Sequence, residues 1–368
     1  MKTGEAKRNT EIQNLRAIAA ICIMIGHMPL ALPGILIHGY SFVSLFLVFT
    51  GFFAARQFRK KYSESVSSLT VMKKELVAKC FRLAPLMWIW ILIYFFIGNL
   101  VNYLGGSYGD PARWCSELKA ALLLYYNYYL AGLSIGGLFG QYWTLFVEIH
   151  FYVLFVFLFL LVRKDRYRRY LSLAIVLLTI FVFRPLTAKN MIRYSTQAHL
   201  DSLFAGVFIG LLDGKQKPAE NHGKLLHPFV GTILVTALYL SAYFFDTYGV
   251  SGSIKYTVYM LNASLILLLA EKNVGYFSYG KVADRILLRI GNASASIYVC
   301  HVILFSCVYY NIYANTTLIP EVLKFTDWGV CLQVVFLVLL ACVMGHISYC
   351  LIEKPYIRYS KELVERIA

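Results

Sequence analysis

Four positions in this 368-residue chain place ionisable side chains inside otherwise apolar stretches: His27, Glu148, His301 and the pair His199/Asp201. Such groups are costly inside a bilayer, and their default reading is functional. Arg16 precedes His27 by eleven residues. On an α-helix that is about three turns plus ~20°, so the two side chains share a face ~16 Å apart. A long ligand with an anionic head suits this spacing. The guanidinium would hold a phosphate, and the imidazole would meet the reactive end. The blander reading is a membrane-surface anchor at Arg16 and a hydrogen-bonded core histidine at His27. Glu148 needs a cation or a proton to persist in an apolar span. Paired with His27 it would raise the histidine's basicity and fix its tautomer; the alternative is a structural bond between helices. His301 is a second deep histidine, suited to contact with substrate or with a neighbouring helix. His150 sits two residues from Glu148, projects differently, and reads as packing. Lys79 and Arg82 precede Ala84-Pro85 at the start of an apolar span, where they would clamp phosphates or simply mark the membrane edge. Glu353 is expected to pair with a basic loop residue, and Pro355 stops its helix.

The elements that must position these groups are membrane helices. The chain is 59% hydrophobic and 15% charged, with a mean hydropathy of +0.62. That excludes disorder and argues against a water-soluble globule. A span needs about 20 apolar residues, and ten stretches qualify: 14–33, 40–56, 83–103, 140–162, 169–185, 197–213, 227–246, 254–271, 295–315 and 328–351. A further apolar piece within 111–135 is too short to cross and is expected as an interfacial or re-entrant helix, with Tyr125, Tyr126, Tyr128 and Tyr129 in the interfacial belt. The net charge of +16 comes from 35 basic and 19 acidic residues. In a soluble protein it would suggest nucleic acid. Here 28 of the basic residues fall in the two tails and the even-numbered loops, leaving seven in the odd ones. The positive-inside rule then puts both termini in the cytoplasm, with no nucleic-acid partner. The expected fold is an all-α integral membrane protein, one domain over 1–368, with no appended soluble domain. Residues 1–13 are polar and no small-residue cleavage site follows the first apolar run, which reads as a signal-anchor. The eight cysteines form no CxxC pair and are expected as buried apolar thiols, with no disulfide framework and no metal site.

The Arg–ten residues–His spacing in Asn14-Leu15-Arg16…Gly26-His27 resembles the signature of the acyltransferase-3 family, integral-membrane acyltransferases that modify surface polysaccharides. Further blocks resemble family motifs in the expected order. They are Phe46 to Phe52, Phe81-Arg82-Leu83-Ala84-Pro85-Leu86-Met87-Trp88, Trp143 to Tyr152, His199-Leu200-Asp201…Gly206, Ser294 to His301, and Ile352-Glu353-Lys354-Pro355. Thr50 and Thr144 stand where the family has serine. Lys79 occupies the first place of a paired-arginine motif, and His199 stands for an expected arginine. No counterpart of the hydrolase-like extension of larger members is expected within residues 1–368.

The resemblance implies an acetyl-CoA donor and a sugar hydroxyl acceptor, on a lipid-linked or surface glycan such as lipopolysaccharide O-antigen. It also implies a multi-pass protein of the bacterial inner membrane. The coenzyme's phosphates would dock on Arg16 and Arg82, with Lys79 beside them. His27 would act as general base, oriented by Glu148, or would carry the acyl group itself. Trp143, Tyr142 and His301 are the expected acceptor contacts. Two other classes stand beside this one. A secondary transporter would also bury His and Glu beside helix breaks such as Pro29 and Pro33, but the two halves lack matching Gly/Pro interruptions. A membrane scaffold would have no need of Arg16, His27 and Glu148 inside the bilayer.

Overall fold

The computed structural model describes residues 9–30, 32–61, 68–106, 108, 110–133, 137–212, 226–306, 309 and 329–367. The expected basic residues Lys2, Lys7, Arg8, Lys215, Lys217, Lys224 and Lys324 lie outside them, as does most of the ninth expected span beyond 306. Among the described residues every regular element is helical. In chain order they are α1 Thr10–Ile25, α2 Phe42–Lys61, α3 Ser68–Tyr103, α4 Pro111–Leu122, α5 Tyr126–Ala131, α6 Trp143–Leu161 and α7 Asp165–Leu178. A π-turn, Thr179–Phe183, joins α7 to the one-turn α8 Arg184–Leu186. There follow α9 Leu200–Gly210, α10 Leu226–Thr247, α11 Gly252–Lys272, α12 Lys281–Asn292, α13 Ser294–Val302, α14 Val330–Ser348 and α15 Lys354–Arg366.

Seven helical stretches are long and apolar enough to cross a membrane, and the bent pair of α12 with α13, folded by 67°, adds an eighth if taken as one span. They correspond to seven of the ten stretches expected above. The other three arrive as short helices: α1 with 16 residues, α9 with 11 and α13 with 9. These three carry Arg16, His199/Asp201 and His301. They sit inside the bundle, where a short helix with a few polar side chains finds protein partners. On α9, Leu200 to Phe204, Gly206, Val207, Ile209 and Gly210 are all buried. On α10, a long helix of the periphery, only Gly231, Leu238 and Ala242 are. A helix buried all round meets protein where a peripheral helix meets lipid, so side-chain partners replace apolar length.

Lipid tails are as apolar as leucine, so helices in a bilayer associate through close packing of small residues. The α2–α9 crossing shows how. A Cβ on Gly51 would strike the Leu203 carbonyl, one on Gly206 would strike the Val48 carbonyl, and one on Gly210 would sit 2.8 Å from the Phe52 carbonyl oxygen. Both backbones meet here, which is why these positions carry no side chain.

Polar contacts pin the start of α1. Asn9 caps it by accepting from the Ile12 N–H at 3.1 Å and donates to the Ala270 carbonyl at 2.7 Å. Glu11 accepts from the Gly275 and Phe277 N–H groups at 2.7 and 2.9 Å. Asn14 donates to the Phe277 carbonyl and to Asp284, each at 2.8 Å. Five polar anchors at one helix end fix the rotation of α1 and hence the direction of Arg16.

The segment expected as an interfacial helix is two short helices, α4 and α5, neither long enough to span. Glu117 is buried and accepts from the Tyr126 hydroxyl at 2.8 Å and the Leu138 N–H at 2.7 Å. His150 bonds Thr196 and the Leu124 carbonyl, each at 2.7 Å, and so ties α6 to the α4–α5 turn. That is a packing role. Cys300 is buried, but Cys115, Cys331 and Cys350 are exposed, against the expectation for the cysteines. The outward face of a membrane helix is itself apolar, so a thiol gains nothing by turning inward.

Candidate active site

Three neighbouring cavities in the bundle share wall residues. The first, about 80 Å³, is lined by Arg16, Arg82, Thr50, Thr144, Glu148 and Tyr298 among aromatic and aliphatic side chains of α2 and α6. The second, about 30 Å³, is lined by Ile23, His27, Tyr40, Val43, Ser44, Gln141, Trp143, Arg193, His199, Tyr256 and Tyr298. Val43 and Tyr298 belong to both walls. The third, about 570 Å³, shares Tyr40, Arg193 and Tyr256 with the second. Arg16 and His27 therefore line adjoining cavities, as their shared helix face implies. The middle compartment is the narrowest and has room for only a water or two.

Charges crowd the first cavity. Arg82 faces Glu148, Glu353 and the Tyr152 hydroxyl. Glu148 accepts a hydrogen bond from Thr50 and faces Arg82, Arg16 and Lys79 in turn. Glu353 is buried and accepts from Ser296 at 2.6 Å. Lys79 is buried at the edge of this group, donating to Gln57 at 3.2 Å with its ammonium 4.8 Å from the centre of the Tyr152 ring. Arg16 reaches Gln13 at 3.4 Å. The sequence expectation of Glu148 as the partner of His27 is replaced by this arrangement. Glu148 is a partner of Arg82 and Thr50, and it lines the first cavity rather than the second.

His27 follows the Gly26 cap of α1, and its N–H continues the helical turn onto the Met24 carbonyl at 3.0 Å. Its Nδ1 lies 2.9 Å from the Ile23 carbonyl. A carbonyl only accepts, so Nδ1 carries the proton and Nε2 keeps its lone pair. The ring is exposed to the cavity rather than packed away. His301 stands edge-on behind it, with ring centres 5.1 Å apart. Its Nδ1 lies 2.8 Å from the Tyr298 carbonyl, and its buried Nε2 has no hydrogen-bond partner among the described residues. His301 is fully buried and touches the cavity only through His27 and Tyr298. His301, expected to contact substrate or a neighbouring helix, packs against His27, Tyr298 and Phe305.

Trp143 lines the middle cavity, 5.1 Å from the His199 ring. Tyr142 is not among the residues lining these three cavities. It is fully buried, stacked edge-on against Tyr94, with its hydroxyl donated to the Val299 carbonyl at 2.9 Å. The turn Gly140–Tyr142 that starts α6 rotates these neighbours to opposite sides.

The doubt at His199 has a structural answer. Asp201 is paired with Arg184 at 2.6 Å, and both are fully buried. Arg184 also donates to the Ala198 carbonyl at 2.8 Å, to Thr257 at 2.7 Å and to the Ser253 carbonyl at 3.2 Å. The guanidinium expected at position 199 thus comes from α8. His199 lies on the cavity wall, its Nε2 3.0 Å from the Arg193 carbonyl.

Sequence reasoning missed Tyr298, Gln141, Tyr40, Tyr256 and Arg193 as cavity residues. Tyr298 sits where the first two cavities meet, its hydroxyl 2.8 Å from Thr144 and 2.5 Å from the Gln141 carbonyl. Its place inside the Ser294–His301 block was the available signal. Arg193 was counted only as a loop charge, and nothing local distinguishes it.

Neither a curated relative nor a solved structure matches the chain. Residues 9–347 match the family profile of the acyltransferase domain of acyltransferase-3 proteins. That stretch holds every cavity-lining residue named above, and the chain belongs to the acyltransferase-3 family, as a multi-pass membrane acyltransferase.

Proposed function

We propose that this protein is a membrane O-acetyltransferase. It moves an acetyl group from cytoplasmic acetyl-CoA to a sugar hydroxyl of a cell-surface polysaccharide, lipopolysaccharide O-antigen being the preferred case. The observation that carries the reading is His27, with its Nδ1 proton committed to the Ile23 carbonyl and its side chain on the wall of the smallest of three neighbouring cavities. Ten crossings belong to the proposal, with flanking residues lengthening α1, α9 and α13 to interior spans and both termini cytoplasmic. The protein then sits in the inner membrane with Arg16 at the cytoplasmic end of these cavities.

The coenzyme's phosphates meet Arg16, with Arg82 and Lys79 beside it. Glu148 and Glu353 face Arg82, and Glu148 also faces Arg16, which holds the cluster in place. The thioester arm passes Tyr298 into the middle compartment. The acceptor enters from the third cavity, past Trp143. His27 Nε2 takes the proton of the acceptor hydroxyl as its oxygen bonds to the thioester carbonyl carbon. Collapse of the tetrahedral intermediate breaks the C–S bond. The imidazolium returns its proton to the departing thiolate, leaving an ester and free CoA. Polar groups act strongly in so small and dry a compartment. In the covalent version Nε2 attacks the thioester carbonyl first and CoA leaves as the thiolate; the acceptor hydroxyl then displaces the imidazole from the acetyl group, and its proton passes to the thiolate.

The test is mass spectrometry of surface glycans from cells with wild-type protein, with His27→Gln and without the gene, coupled to membranes given radiolabelled acetyl-CoA. Label should enter glycan only with the wild type. Normal acetylation by His27→Gln sinks both versions, and solute movement with an intact thioester would make the protein a transporter.

A further inference from the structure

The third cavity is basic in a selective way. Its walls include Arg184, Lys189, Arg193 and Lys255, with Asp246 the acidic residue among those lining it. Two of the four cations are already matched. Arg184 is locked to Asp201. Lys255 lies 2.6 Å from Asp246, which also accepts from Tyr40 at 2.6 Å and faces His38 at 3.2 Å. Lys189 and Arg193 are exposed, and neither has a carboxylate within ion-pair distance among the described residues.

Arg193 is the more telling of the two. It lines both the third cavity and the compartment of His27. Its guanidinium lies 5.7 Å from the ring centres of Tyr40 and of Tyr194. Ring faces orient a guanidinium without occupying its hydrogen-bonding edge. Its backbone carbonyl holds His199 at 3.0 Å, so the side chain is free of structural duty to that neighbour. Its charge acts on His27, Tyr256 and Tyr298. A cation left with an open edge at the junction of two cavities is a site for an anion.

Resting on the acyltransferase reading above, we propose that the acceptor is an acidic glycan. Arg193, assisted by Lys189, binds a carboxylate or phosphate of the sugar being acetylated, or of its neighbour, while Tyr40 and Tyr256 flank the ring. The planar fork of Arg193 takes two oxygens of either group at once and so sets which hydroxyl reaches His27. Neutral sugars would lack that anchor.

The experiment uses the full-length protein in nanodiscs with acetyl-CoA and four acceptors: a uronate disaccharide, its methyl ester, the parent neutral disaccharide, and the same disaccharide carrying a phosphate. Binding of each is measured alongside transfer. The wild type should favour the uronate or the phosphate sugar over the neutral pair by tenfold or more in kcat/KM, chiefly through KM. Arg193→Gln should bring that ratio close to one, Arg193→Lys should restore part of it, and Lys189→Gln should lower it by less. Whichever acidic acceptor leads identifies the anion. A wild type indifferent to charge overturns the proposal. So does a ratio that Arg193→Gln leaves unchanged while kcat falls for all acceptors, which would make Arg193 a stabiliser of the reacting carbonyl oxygen. Binding does not need the chemistry. Preferential, Arg193-dependent binding of acidic sugars without any transfer would uphold the anion site and refute the acyltransferase step, while charge-blind binding refutes the anion site alone.

Discussion

At His27 and its neighbours the expected consequences are sharp. General-base catalysis by a positioned side chain is worth roughly 10²–10⁴-fold. His27→Gln should therefore lose at least about a hundredfold in acetyl transfer, while its mobility on a sizing column stays that of the wild type. His301 gives a finer test. If it positions the His27 ring by contact, His301→Phe keeps a ring in place and retains most activity. His301→Ala opens the site and lowers kcat by roughly tenfold to a hundredfold, the scale expected for a reacting group displaced by an ångström. Equal loss in both variants would mean that a His301 nitrogen takes part in the chemistry. The sequence identified both histidines as anomalous. It could not show that they touch, because α1 and α13 lie far apart in the chain and nothing in either segment specifies their mutual rotation.

Between elements, the α2–α9 crossing and the Arg184–Asp201 pair make different predictions. Gly206→Val puts a branched side chain into the Val48 carbonyl, and neither backbone can yield without moving the Thr50 to Phe53 stretch that lines the first cavity. Expression of folded protein should drop, and detergent-solubilised material should unfold at a lower temperature. Arg184→Gln leaves a buried carboxylate without its cation. Breaking a buried ion pair costs about 3–5 kcal/mol, so this variant should be among the least stable in a thermal scan. Arg184→Gln with Asp201→Asn should recover much of the loss, because two neutral amides remain. The family-like blocks around Gly51 and Asp201 were legible as strings. Their reasons were not, since a glycine packed on a partner's backbone and an aspartate served by a distant arginine are facts about contacts.

For the whole molecule, the charge bias makes a topological prediction. A reporter active only in the cytoplasm, fused after residue 368, should be active, and one inserted beside Lys189 should be silent. The opposite result would reverse the proposed orientation and place Arg16 on the far side from acetyl-CoA. Hydropathy and the positive-inside bias are sums over local residues, and for that reason the sequence alone determined the membrane class, the all-helical architecture and the anomalous polar positions, while of its ten expected spans the structure shows seven as long apolar helices. Partnership is not a local sum. It depends on how each helix is rotated and tilted against others hundreds of residues away. Only the tertiary structure decided that Glu148 serves Arg82 rather than His27, that Tyr142 turns into the core while Trp143 faces the cavity, and that α1, α2, α6, α13 and a loop arginine line neighbouring cavities.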